Sequence, residues 1–458
     1  MNTDQHDDKD ASSEHEATPG EVFYLRISSL LSTFSHRQSE VLRMSEFFTE
    51  RDAELNDAKE RAKRSIERGL QQDVDEDLLD RYLRVFADID DLEDVEETDR
   101  KEREIAFSEG LAEIGSELPE GVEAAYIEAI VRTTRRSVGS RFLHSSLLMI
   151  LVGELEMFIN QLARASFEAR PTALDQGERQ LTWAEISSFD SIDSLRDRVV
   201  DKTVDDLLRG SLQDWVEFFE SKFGISKITA ARSFEAVEAV QRRHCIVHNA
   251  GHVSQQYLDK LGEKNVSVEL HDLLEVDDPY VQKTADILFL VAYSLAWAIA
   301  MKVNPDPEWR DDLVSVFANR TFYLLQDRRY SLVASIGETV PLDKMKGESG
   351  EYSAFIIQVN RWIALKESGK FELAREEVEE LPVATRSDHY KLAKYALLDD
   401  EKQAHEIAQR MIRNDELSRS HMLTWPLLRG VRDYARSLDA VDNEPQVSNI
   451  RTTDDQPV

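Results

Sequence analysis

Apolar residues recur three and four positions apart over long stretches of this chain, and that period limits the class of fold. Phe23, Ile27, Leu30, Leu31 and Phe34 repeat at helical spacing, as do Leu79, Tyr82, Leu83 and Phe86, so each set lies along one face of a helix. The patterns predict a longer apolar helix over Phe142 to Phe167, stopped by Pro171, and a buried helix over Ile287 to Met301, with Asp278 as N-cap and Pro279 in the first turn. Further helical stretches fall at Ser191 to Phe223 and Ile228 to His248, where Asn249-Ala250-Gly251 is a stop signal. Val266 to Leu270 alternates like a short strand, too isolated to make a sheet domain. The expected fold class is all-α, with a central helical bundle flanked by a helical N-terminal region and C-terminal helical hairpins.

With 458 residues the chain exceeds one ordinary core. The pattern divides it into an acidic disordered tail at 1–20, a helical region at 21–139, a bundle at 140–304, repeat-like hairpins at 305–438 and a second disordered tail at 439–458. In the hairpin region the turns at Asp327-Arg328-Arg329-Tyr330, Gly369-Lys370-Phe371-Glu372 and Asp400-Glu401-Lys402-Gln403 look alike. The latter two precede inward small residues, Ala374 and Ala404. Such recurrence suggests stacked hairpins. The Gly-x-Phe-x-x-Ala turn within Trp362 to Pro382 resembles half of a tetratricopeptide repeat, although Trp362 stands where that family has a small residue.

Asp and Glu number 89 against 56 Lys and Arg, for a net charge of −33. Such a surface repels nucleic acid at long range, so any RNA contact requires a local basic patch. Arg132, Arg135, Arg136 and Arg141 form the clearest one, which either receives phosphates or is a solvated helix face. The single cysteine, Cys245, has no internal disulfide partner, and the N-terminus has no signal-peptide pattern. At 15 residues, the stretch from Ile287 to Met301 is short of the roughly 17 to 25 that span a bilayer. A cytoplasmic protein without a membrane segment is expected.

The segment Arg243-His244-Cys245-Ile246-Val247-His248-Asn249 is the one that suggests chemistry. On a helical wheel, Phe234, Val237, Val240 and Val247 share a broad apolar face, with Glu235, Glu238 and Arg242 outside it. Arg243, His244 and His248 fall inside the apolar sector, where they need partners. They therefore form either a satisfied buried network or a site. A zinc site built on His244 and His248 fits poorly, because Cys245 points about 100° away from His244 and Gly251 interrupts the helix before His252. No metal and no cofactor are expected. Nucleophile motifs and glycine-rich phosphate loops are lacking, and Cys245 reads as a small buried hydrophobe.

Arg243, His244, three further residues and His248, followed by Asn249-Ala250-Gly251, resemble the Arg-polar-x-x-x-His signature of the HEPN superfamily, all-helical domains many of which are metal-independent ribonucleases. The resemblance covers about 140–304 and includes a long first helix bearing Glu154 and Glu156. It implies His248 as the proton-transfer group and Arg243 as the group that stabilises the five-coordinate phosphate. His244, Asn249 and Glu156 would support them, and Arg135, Arg136 and Arg141 would bind RNA phosphates. It also implies a homodimer, an RNA substrate, and roles in toxin systems, defence or RNA processing. The alternative is a non-catalytic binding or scaffold module that holds a protein partner on its C-terminal hairpins.

Overall fold

A computed structural model describes residues 17–51, 57–71, 73–90, 97–119, 121–134, 138–176, 182–262, 267–306, 308–342 and 348–442. Among these the architecture is all-α. In chain order the helices are α1 (Pro19–Glu50), α2 (Ala58–Leu70), α3 (Glu76–Asp90), α4 (Glu97–Gly115), α5 (Val122–Thr134), α6 (Val138–Ala169), α7 (Ile192–Leu208), α8 (Leu212–Phe223), α9 (Phe234–His248) and α10 (Gln255–Leu261). There follow α11 (Asp278–Val303), α12 (Glu308–Gln326), α13 (Tyr330–Thr339), α14 (Glu348–Glu367), α15 (Arg375–Glu379), α16 (Asp388–Leu397), α17 (Glu401–Arg413), α18 (Arg419–Thr424) and α19 (Arg429–Asp442). The expected strand does not form: Val266 lies outside the described residues, and Ser267 to Leu270 are irregular. Helix also extends further than expected at both ends, taking in Pro19 and Gly20 in α1 and reaching Asp442 in α19. The remainder of each expected tail lies outside the described residues.

The chain divides into two compact units, one from Met1–Phe34, Glu156–Ser233 and Asp286–Val458, the other from Ser35–Leu155 and Phe234–Ala285. In the second unit, α2 to α5 close over Ile66, Leu79, Tyr82, Phe86, Tyr126 and Ile130. Tyr82 packs on Tyr126 with ring centroids 5.7 Å apart. The same unit contains α9 and α10, joined through Cys245, Val253, Tyr257, Leu258, Leu261 and Leu274.

In the first unit, α11 from Asp286 onward is the core. Phe34 lies between Phe158 of α6 at 5.0 Å and Phe289 of α11 at 5.8 Å, which joins the two apolar helices as their patterns predict. Tyr293 donates its hydroxyl to the Phe317 carbonyl at 3.1 Å, and Trp297 packs edge-on against the Phe317 ring. The helix is longer than its apolar run, with 26 residues, and its N-cap is Asp277, which accepts the Tyr280 N–H at 2.9 Å. Asp278 instead receives the Ser45 hydroxyl. By length and composition α6 and α11 could each cross a membrane, but 78% of the apolar window of α11 is buried inside the protein, as suits a core helix.

The C-terminal hairpins repeat one closure. Helices α12, α14, α16 and α17 each end on a residue of positive φ: Arg328 at 58°, Gly369 at 72°, Asp399 at 60° and Asp415 at 59°. The next residue's N–H then reaches back to a carbonyl of the last turn: Arg329 to Leu324, Lys370 to Leu365, Asp400 to Tyr395 and Glu416 to Met411, at 2.7 to 3.0 Å. This is the left-handed cap that satisfies the otherwise unpaired carbonyls at a helix end. Ala374 and Ala404 are fully buried, as the inward small positions require.

Candidate functional site

Helix α9 carries the candidate segment, and its local chemistry ends it as the sequence predicts. The helix stops at His248. Ala250 and Gly251 then take φ of 52° and 87°, values that favour glycine. The Asn249 and Gly251 N–H groups both donate to the Cys245 carbonyl, at 2.8 and 3.0 Å. The chain then pairs briefly with 271–274: Val253 N–H donates to the Asp272 carbonyl, Leu274 N–H to that of Gly251, and His252 faces Leu273 in a single antiparallel bridge. These bonds fix the helix end.

The face that α9 turns inward differs from the one its hydrophobicity selects. Glu238, Gln241 and Cys245 are buried and the Arg242 side chain is 16% exposed, whereas Phe234 and Val247 are 43% and 46% exposed. With Ala236 and Ala239, which are also buried, the inward positions span an arc of about 220°. Glu238 and Arg242, placed outside the apolar face by the wheel, are thus at the centre of a buried network. Glu238 Oε1 accepts from Arg242 Nε at 2.6 Å and from the Tyr257 hydroxyl at 2.8 Å, and Oε2 accepts from the Tyr280 hydroxyl at 2.5 Å. Arg242 Nη1 donates to the Glu275 carbonyl, and its Cζ lies 4.2 Å from the Tyr280 ring centroid. Neighbours from α10, the 271–277 segment and α11 thus supply partners to both members of the buried pair.

Titration of the network follows from that packing. Burial and then the Glu238 carboxylate push the Tyr257 and Tyr280 hydroxyls above the ordinary tyrosine range, so both stay protonated as donors. Burial works against the Arg242 charge, but Tyr280 and Glu238 outweigh it and hold the guanidinium above its usual pKa. The hint in the sequence was the spacing of Glu238 and Arg242, one helical turn apart in the favourable acid-before-base order. Their burial was not signalled locally.

Of the predicted site residues, His244 and His248 come together: their rings lie one turn apart on α9 with centroids 4.6 Å apart. Burial, and then the neighbouring His248 and Arg243, lower the His244 pKa below its ordinary value. Arg243 and His244 are half-buried, and His248 and Asn249 are exposed. Arg243 and His248 are not brought together within the helix. Five positions apart on a helix that runs through His248, they point about 140° away from each other. Asn249 contributes its N–H to the cap and its carbonyl to the His252 N–H at 2.9 Å. Glu156, half-buried on α6, belongs to the other compact unit. Arg135 and Arg136 lie outside the described residues, and Arg141 is described only as a helical backbone position.

Cys245 is fully buried, with Sγ 3.6 Å from the Ser254 hydroxyl. The His252 ring nitrogen Nδ1 is 2.9 Å from the His271 carbonyl. Among the described residues, no group of three His, Cys, Asp or Glu side chains is placed to hold a metal ion. Comparison with known proteins finds no matching family model, no similar curated protein and no similar solved structure.

Proposed function

We propose that this protein is a metal-independent, HEPN-like endoribonuclease whose site is at the C-terminal end of α9. The observation that carries this reading is the His244–His248 pair, two imidazoles 4.6 Å apart with His248 exposed to solvent, immediately after Arg243. One imidazole takes the proton of an RNA 2′-hydroxyl as that oxygen attacks the phosphorus, and an acid returns a proton to the departing 5′-oxygen. His248 is assigned the exposed proton-transfer role and Arg243 the stabilisation of negative charge on the phosphate. His244 is kept neutral by its surroundings and orients or relays. Asn249, Arg135, Arg136 and Arg141 remain proposed supporting residues.

The reading includes a homodimer and a cytoplasmic setting. Phe142 and Ile150, 63% and 45% exposed on α6 in the same unit as the motif, offer apolar surface for self-association. The decisive experiment is incubation of the purified protein with mixed RNAs, with and without a chelator. Cleavage that persists in chelator, leaves a cyclic 2′,3′-phosphate and disappears in His248→Ala is the expected result. Loss of cleavage on chelation with recovery on adding zinc would overturn it. A second reading, a binding module that acts through the C-terminal hairpins, is favoured by Leu373 and Leu423, each 69% exposed there. It predicts no RNA cleavage, and partner capture that Leu373→Ser and Leu423→Ser abolish while His248→Ala does not.

A further inference from the structure

A second cleft, independent of the α9 segment, lies wholly within the unit that contains the core of α11. It has a volume of about 530 Å³ and is walled by the 224–229 loop after α8, the C-terminal half of α11, the start of α12 and residues 339–341. That size is in the range of small-molecule sites, roughly 300 to 1,000 Å³. Its floor is apolar and buried, with Trp297 3%, Ile228 5% and Val340 6% exposed.

The rim has the opposite sign from the rest of the protein. Lys227, Lys302 and Arg310 line it with a single carboxylate, Asp311, in a chain where acidic residues outnumber basic ones 89 to 56. All three cations are exposed. The Lys302 side chain runs beside the turn at Gly224, whose φ is 65°: a Cβ there would sit 3.9 Å from Lys302 Cε.

The floor also holds one unsatisfied polar group. Ser294, in the middle of α11, is 6% exposed, lines the cleft, and its hydroxyl has no hydrogen-bond partner in the protein. A buried hydroxyl of that kind is costly and calls for an explanation. Its oxygen is shut off from the cleft, so the groups that face a ligand are the apolar floor and the cationic rim, which suit a molecule with an apolar body and an anionic head.

We infer that this cleft binds a small amphipathic organic anion, its carboxylate or phosphate head held by Lys227, Lys302 and Arg310 and its apolar body on Trp297, Ile228 and Val340. The head group has two natural sources, a fatty carboxylate or an aryl or alkyl phosphate, and the recognising chemistry is common to both.

Isothermal titration of the full-length protein with sodium decanoate, 1-naphthyl phosphate and inorganic phosphate tests the assignment. At least one organic probe should bind, and which of them does identifies the head group. Lys302→Glu with Arg310→Glu should weaken it at least about tenfold, as should Ala298→Trp, which fills the cleft, while circular dichroism reports an unchanged fold. Arg243→Ala and His248→Ala should bind it as the unaltered protein does, so failure of the ribonuclease reading leaves this one standing. Three results would overturn it: no heat from either organic probe, equal binding by the folded charge-reversed variant, or inorganic phosphate binding as tightly as the organic probes.

Discussion

Glu238 receives the Arg242 Nε hydrogen bond at 2.6 Å across one turn of α9, with side chains only 8% and 16% exposed. The pair therefore has little water around it, and its stability depends on the two tyrosine hydroxyls and the Glu275 carbonyl that complete it. Because its partners come from α10, the 271–277 segment and α11, the network also sets how α9 is held, and with it the helix end that carries His244 and His248.

Removal of one partner should cost more than removal of the whole network. Glu238→Ala leaves a buried guanidinium without its carboxylate and should destabilise the protein by about 3–5 kcal/mol. Tyr257→Phe should cost about 1–3 kcal/mol by removing one donor to the carboxylate. A joint Glu238→Leu and Arg242→Met replacement should be milder than Glu238→Ala alone. Urea unfolding of the three variants checks the order, and Glu238→Ala proving the mildest would contradict the account.

The turn after α9 makes a second prediction. Ala250 holds φ at 52°, where an L side chain crowds its own backbone, so Ala250→Gly should be neutral or stabilise by up to about 1 kcal/mol. At Gly251, where φ is 87°, alanine should instead cost about 1–2 kcal/mol. Opposite signs at adjacent positions are the test, read from thermal midpoints.

His244 should make stability depend on pH. Its pKa is lowered in the folded protein, first by burial and then by His248 and Arg243, from an ordinary 6.5. Above that value both states are neutral there and the residue contributes no slope. As pH falls below it the unfolded chain takes up the proton more readily, so the folded state loses stability until the folded site protonates too. Comparing denaturant midpoints between about pH 7.5 and pH 5, His244→Gln should show a shallower decline than the unaltered protein. Identical slopes would remove His244 from the account.

Local chemistry made part of this structure legible in the sequence. Asn249-Ala250-Gly251 was readable as a stop because a helix end needs positive φ, which Gly251 takes freely, and Ala374 and Ala404 were readable as inward because a close helix contact needs small side chains. The inward face of α9 was not. A helical wheel ranks faces by hydrophobicity, which turned Phe234 and Val247 inward and Glu238 outward, yet the donors that make Glu238 tolerable in the interior are Tyr257 and Tyr280, distant in sequence. Arg328, Asp399 and Asp415 take the same helix-ending role as Gly369 with no glycine to mark it.

The last prediction concerns how Arg243 and His248 serve one phosphate, if the proposed cleavage is correct. A turn of the chain before His248 would have swung its imidazole towards Arg243, but α9 continues through His248 and the cap begins only at Asn249. On that continuous helix the two side chains diverge by about 140°. Convergence on one phosphate then requires the Arg243 of one protomer and the His248 of another, related by a two-fold axis. Arg243→Ala and His248→Ala should each be inactive alone. Mixed and re-equilibrated, heterodimers of the two hold one composite site with both groups intact and a second with neither. About half of the mixed dimers are of this kind by random pairing, so roughly a quarter of the unaltered activity should return. Native mass spectrometry must establish that heterodimers have formed. Their presence without recovered cleavage would place the whole site within one chain.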